Sequence, residues 1–196
     1  MVTLDITARI HPKLRGMLSD LGPTWRRAIL GVGATALSIE VRRHIRREAG
    51  RRHTTAARLG AQPTQHLSKG AARVTYRASS TSASVLVPIA GISRAFHDLA
   101  ITPVRASALT IPVSAAAYGH RVRELERLGW RIFRPKGRDV LMGSRDGGEP
   151  EPLYALKKRV VVRQDRSLLP SDERVAEAIN KACALYVQHE LSRRSR

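Results

Sequence analysis

Residues 96–170 read FHDLAITPVRASALTIPVSAAAYGHRVRELERLGWRIFRPKGRDVLMGSRDGGEPEPLYALKKRVVVRQDRSLLP. Short β-type runs alternate there with Pro/Gly turns and one helical insert, a pattern of small antiparallel strands. Residues 96–101 and 109–113 are two such runs, and Pro103 and Pro112 set one side of each at an edge or a turn. Residues 115–129 predict a short helix carrying Val122, Leu125 and Leu128, stopped by Gly129. Trp130 to Phe133 and residues 140–142 predict a strand pair across the turn-rich connector 134–139. The acidic loop 146–152 leads into 153–162, which reads as a long central strand bent near Lys157 and Lys158.

Upstream of this stretch, residues 73–78 alternate polar and apolar, and 83–88 are more continuously apolar. Ser79 to Ser82 joins them as a hairpin-length turn. Downstream, Ser171 is placed to cap a terminal helix, with Asp172 and Glu173 near the positive end of its dipole. Val175, Ile179, Ala182, Tyr186 and His189 step by four and three along one face, and Arg193, Arg194 and Arg196 form a frayed end. Upstream, Gly22-Pro23-Thr24 opens a longer helix in which Trp25, Ile29, Val32, Ala36 and Ile39 recur with the same spacing. Gly31 and Gly33 weaken that helix by about 1 kcal/mol each relative to Ala, and Gly50 is placed to stop it. The first 21 residues predict a short extended start from Leu4 and a weak helix with Leu14, Met17 and Leu18. Residues 54–70 show no sustained period, contain Gly60, Pro63, Ser68 and Gly70, and are expected to form a long, mobile, basic loop.

The expected fold class is α+β. A small antiparallel sheet is packed by the long N-terminal helix and the C-terminal helix, with long loops or arms. Residues 1–70 form a helical and basic region packing on a 71–196 core, within one domain overall. A chain of 196 residues is long enough to bury such a core.

The Leu109-Thr-Ile-Pro-Val run, the later Leu153-Tyr-Ala-Leu-Lys-Lys-Arg-Val run and the terminal helix, in that order, resemble the small virion morphogenesis proteins of tailed bacteriophages. The resemblance covers roughly residues 71–191. It implies a structural, non-enzymatic subunit at the head–tail junction, as a neck, connector or tail-completion protein. The partners it implies are a homo-oligomeric ring, the portal or connector proteins, and the tail tube or tail terminator. It implies a virion location after synthesis in the host cytoplasm. It carries no family functional residue onto a position of this chain.

Composition bounds the partners independently. Lys and Arg number 35 against 16 Asp and Glu, a formal charge of +19, which predicts attraction to polyanions or acidic protein surfaces. The alternative to ring assembly is therefore a sequence-independent nucleic-acid-binding protein. Aromatic residues are only 4%, which argues against reading single strands by base stacking. Cys183 is the single cysteine, so an internal disulfide is excluded and a thiolate zinc site would need other ligands. No apolar run is long enough for a membrane span, and the N-terminus lacks a basic segment followed by an apolar one.

No cofactor or metal is expected, and no catalytic constellation emerges. There is no GxxxxGK[ST] loop, no HExxH, and no GxGxxG between a strand and a helix. His44 and His53 lie among arginines, which oppose a metal cation. His97 and Asp98 are neighbours on a predicted strand and so point to opposite faces. Asp139, Asp146, Glu149 and Glu151 sit in turns, where acids shape and solubilise the backbone. One constellation has the character of a site: Arg42, Arg43, Arg46 and Arg47 at helical spacing, extended by Arg51, Arg52, Arg58 and Lys69. Guanidinium groups suit phosphate because their planar fork donates paired hydrogen bonds. Acidic surfaces of neighbouring subunits would engage the same groups.

Overall fold

The computed structural model describes residues 2–5, 16, 21–52 and 54–194; the weak helix expected around Leu14, Met17 and Leu18, along with His53 and Arg196, lies outside them. In chain order the elements are β1 (Val2–Asp5), α1 (Pro23–Arg51), α2 (Thr54–Leu59), α3 (His66–Ala71), β2 (Thr75–Ala78) and β3 (Ala83–Val87). A 3-10 turn (Ile92–Ala95) precedes β4 (Leu99–Ile101), β5 (Leu109–Pro112), α4 (Val122–Arg127), β6 (Trp130–Phe133) and β7 (Val140–Arg145). Then come β8 (Glu151–Lys157), β9 (Val160–Val162), a second 3-10 turn (Arg166–Leu168) and α5 (Asp172–Arg194). The fold is α+β, with long first and last helices and small antiparallel sheets.

The chain divides into two compact units. Unit 1 comprises residues 1–49, 66–97 and 164–196, and unit 2 comprises 50–65 and 98–163. The division follows contacts between distant segments, and position 70, where the sequence suggested a boundary, falls inside unit 1.

In unit 1, β3 is the central strand of a three-stranded antiparallel sheet ordered β1-β3-β2. Its alternation buries Ala83, Val85 and Val87 on one face, the period-two pattern of a half-buried strand. Those side chains join one apolar cluster with Leu30, Leu37, Val41 and Ile45 of α1 and Val175, Ile179 and Cys183 of α5. The two helices also meet through the Trp25 and Tyr186 rings, 6.3 Å apart, and through the Cys183 thiol, which donates to the Ile29 carbonyl. Gly70 is required by space: a Cβ there would stand 2.6 Å from Ile89 Cγ1.

The buried face of α1 differs from the one expected. Leu30, Ala34, Leu37, Val41 and Ile45 are buried, whereas Ile39 is 46% exposed and Val32 and Ala36 are half-buried. The buried stripe is offset from the expected one by five positions, about 140° around the helix, although Ile29 of the expected stripe is buried in the core and Trp25 packs against it. Both stripes are apolar, so spacing alone does not choose between them. The sheet and α5 decide which of them is covered.

Residues 54–70 are not a continuous loop. Two six-residue helices, α2 and α3, occupy much of the segment. Each is too short to persist on its own propensity, and burial of Ala56 in α2 and of Leu67 and Ala71 in α3 fixes them.

Unit 2 holds a four-stranded antiparallel sheet ordered β5-β8-β7-β6 and a separate β4–β9 pair. The run 153–162 is therefore two strands and not one bent strand. β8 is an interior strand of the four, and β9 pairs with β4. The predicted helix 115–129 is only α4, because Gly119 adopts φ 83 and interrupts it. Glu124 accepts the Arg121 amide at 2.9 Å and starts α4 afresh; Gly129 ends it at φ 90, as its position suggested. The predicted strand 96–101 begins late, because Gly91, at φ 74, directs the chain into a 3-10 turn first.

The core of unit 2 is small: Ala117, Leu125, Leu153 and Tyr154, with Trp130, Ile132 and Leu141 partly buried against it. Tyr154 donates its hydroxyl hydrogen to the His120 carbonyl at 3.0 Å, which satisfies the buried phenol. Burial, and secondarily the negative charge of Glu124, raise its pKa. Gly143 admits no side chain, since a Cβ would collide with Leu153 and press on Trp130.

Candidate functional site

The arginine face lies on the C-terminal half of α1. Arg42, Arg43, Arg46 and Arg47, with Ile39, line one open cleft on unit 1. Their spacing of one, three and four residues sets them on adjoining faces of consecutive turns. The four are not equivalent. Arg42 is half-buried and donates to the Val74 carbonyl, just before β2, so it ties the helix to the sheet. Its Nε is buried without a hydrogen-bond partner.

Arg43 and Arg47 flank a residue that the sequence reading passed over. Glu40 is 8% exposed, and its carboxylate lies 3.3 Å from Arg43, 3.5 Å from Arg47 and 4.0 Å from Arg174 of α5. A carboxylate removed from water needs such company, and three guanidinium groups supply it. The i, i+3 spacing of Glu40 and Arg43 was the available signal; the approach of Arg174 from α5 was not readable from spacing. Arg46 is exposed and makes no hydrogen bond or ion pair among the described residues. The cleft therefore presents one uncommitted guanidinium, with two more that share one acid between them.

Lys69 is exposed on α3 of unit 1. Arg51, Arg52 and Arg58 belong to unit 2. Arg51 and Arg52 have interactions of their own, and Arg58 is exposed in the last turn of α2. Among the described residues of unit 1, Arg42, Arg43, Arg46 and Arg47 share one cleft.

The remaining polar candidates have local roles. His44 shares a 2.8 Å hydrogen bond with the Ser167 carbonyl; a carbonyl only accepts, so Nε2 carries the proton. His97 and Asp98 follow the first 3-10 turn and precede β4. Asp139 pairs with Arg134 at 2.9 Å across the β6–β7 connector. Among the described residues no three His, Cys, Asp or Glu side chains gather as a metal site, and no helix is long and apolar enough to cross a membrane. Burial pushes the Cys183 thiol up to about 11, which keeps it protonated and unreactive at neutral pH.

A scan of family models finds no match to this chain, and searches of curated proteins and of solved structures find none either. The functional reading rests on the residues themselves.

Proposed function

We propose that this chain is a structural subunit of a tailed-phage particle, working at the head–tail junction as a neck, connector or tail-completion protein assembled in a ring. The observation that carries the reading is the imbalance of unit 2. Four fully buried residues form its core, while Ile101, Val104, Ile111, Val113, Phe133 and Val161 remain exposed, Val104 at 94%. Scattered exposed apolar residues are ordinary. Here Ile101 and Val161 lie on a two-stranded pair, β4–β9, and such a pair is marginal in water without further packing. Ile111 lies on β5, an edge of the four-stranded sheet, where unpaired backbone groups invite another chain. A unit built this way is completed by neighbours. The order of sequence segments that resembles phage morphogenesis proteins points to the same role, and the +19 charge suits a ring around a DNA channel.

Sequence-independent nucleic-acid binding is the second reading, and the charge favours it. Against it, Arg42, Arg43 and Arg47 have partners within the chain, which leaves few free donors for a phosphate backbone at the cleft.

Disruption of the gene in its phage, followed by electron microscopy of the lysate, tests the proposal. The expected result is DNA-filled heads and free tails that do not join. Normal joined particles would overturn it.

A further inference from the structure

We infer that the arginine cleft of α1 receives the acidic β7–β8 connection of a second copy of this chain. The inference rests on the assembly role proposed above and specifies which surfaces meet. A chain of charge +19 repels its own copies unless a negative segment of one faces a positive segment of the other. Residues 146–151, DGGEPE, carry three acids; Asp146 is paired with the preceding Arg145 at 3.2 Å, which leaves Glu149 and Glu151 to face a partner. Glu149 and Glu151 are exposed and form no ion pair with the described residues.

The acidic tip is held in shape. Asp146 and Gly147 have φ of 54 and 75, and the Gly148 amide donates to the Arg145 carbonyl at 2.9 Å. Two successive left-handed residues closed by that bond make the tight turn that an Asp-Gly pair favours. Little ordering is then left to binding. The Trp130 to Arg145 register sets Leu128, which is 52% exposed, at the same end of the sheet. On the receiving side Ile39, 46% exposed, lines the cleft beside Arg46. Each surface thus combines charge with one apolar side chain, and the charges are opposite.

The two surfaces are different, so the contact is head-to-tail. Each copy carries one cleft and one acidic tip, and a series of such contacts closes into a ring or continues as a filament. Glu40 sharpens the fit. It occupies the inner donors of Arg43 and Arg47, and leaves Arg46 for an incoming carboxylate.

The experiment uses the full-length chain in three forms: the parent, Arg46→Glu, and the double variant Glu149→Lys with Glu151→Lys. All three positions are exposed, so thermal melting is expected to match the parent. Sedimentation velocity is run on each and on an equimolar mixture of the two variants. Each variant alone is expected to associate roughly a hundredfold more weakly than the parent, because like charges now meet. The equimolar mixture is expected to regain association that neither variant shows alone, since the intact cleft of one meets the intact tip of the other and the reversed charges of the two altered surfaces are themselves opposite. Undiminished association of both variants would overturn the inference and leave the ring reading standing. A parent that stays monomeric at every concentration would overturn both. Lost duplex-DNA binding by Arg46→Glu with unchanged association would make DNA the occupant, and would overturn the inference as well.

Discussion

Arg42 and Arg46 stand one helical turn apart and do different work. The Arg42 guanidinium closes the backbone at Val74, whereas Arg46 faces solvent and has no partner among the described residues. Arg42→Gln should cost about 1.5–3 kcal/mol of stability, the range for losing a hydrogen bond from a charged donor. Arg46→Gln should leave stability within about 0.5 kcal/mol of the parent. Urea unfolding of both variants compares them directly, and equal midpoints would mean that Arg42 has no anchoring role. Cys183 offers a second residue-level check. Its buried thiol, raised to about 11, should react with an alkylating dye only as fast as the chain opens. Labelling within seconds in native buffer would contradict the packing of α5 on α1.

The start of α5 shows how one hydroxyl organises an element. Ser171 lies 3.5 Å from the Arg174 amide, which donates toward it, and it donates to the Glu173 carboxylate, lowering the pKa of that acid together with its own backbone amide. An acid held below its ordinary pKa stabilises the fold above the carboxylate range and loses that contribution as pH falls through the folded value. Ser171→Ala should lower stability near neutral pH through loss of the cap, and the difference should shrink as pH falls through the carboxylate range. A cost that is the same at pH 7 and pH 3 would remove Glu173 from the cap.

This cap was legible because Ser171, Asp172 and Glu173 are adjacent and local chemistry suffices. β3 was legible because residues 83–88 are a short, largely apolar run with β-branched side chains after a hairpin turn. The face of α1 was not: its two apolar stripes differ only in what the sheet and α5 cover. α2 and α3 were hidden because six residues show no period. The strand switch after Lys157 was hidden because β9 finds its partner, β4, some 60 residues earlier in the chain, and a continuous apolar run does not reveal such a change of sheet. Of the arginine cluster, spacing correctly grouped the four cleft members. Glu40 was signalled only by its i, i+3 spacing to Arg43; the approach of Arg174 from the far end of the sequence was not readable.

At the scale of the molecule the two units carry different burdens. Unit 1 has an extended core in which Ile179 is fully buried. Ile179→Asp would place an unpaired charge there, and should unfold the domain or cost several kcal/mol; circular dichroism on heating would show it. Parent-like melting would mean that α5 does not belong to the core. Unit 2 has a narrow core, and Gly143→Ala should loosen it first, because the added methyl meets Leu153 and Trp130. Overpacking of this kind costs about 1–3 kcal/mol. Hydrogen exchange should quicken in β6, β7 and β8 while the unit 1 sheet keeps its protection, and uniform acceleration across both units would contradict their separate cores.

An abundant core in one unit and a spare one in the other suits a part that becomes complete on assembly. Electron cryomicroscopy of the head–tail junction in intact phage particles tests that claim most directly. The expected result is a ring of identical copies of this chain between head and tail, with the exposed strands of unit 2 covered by neighbouring chains. A junction whose density is fully explained by other proteins, with this chain absent from the particle, would contradict it.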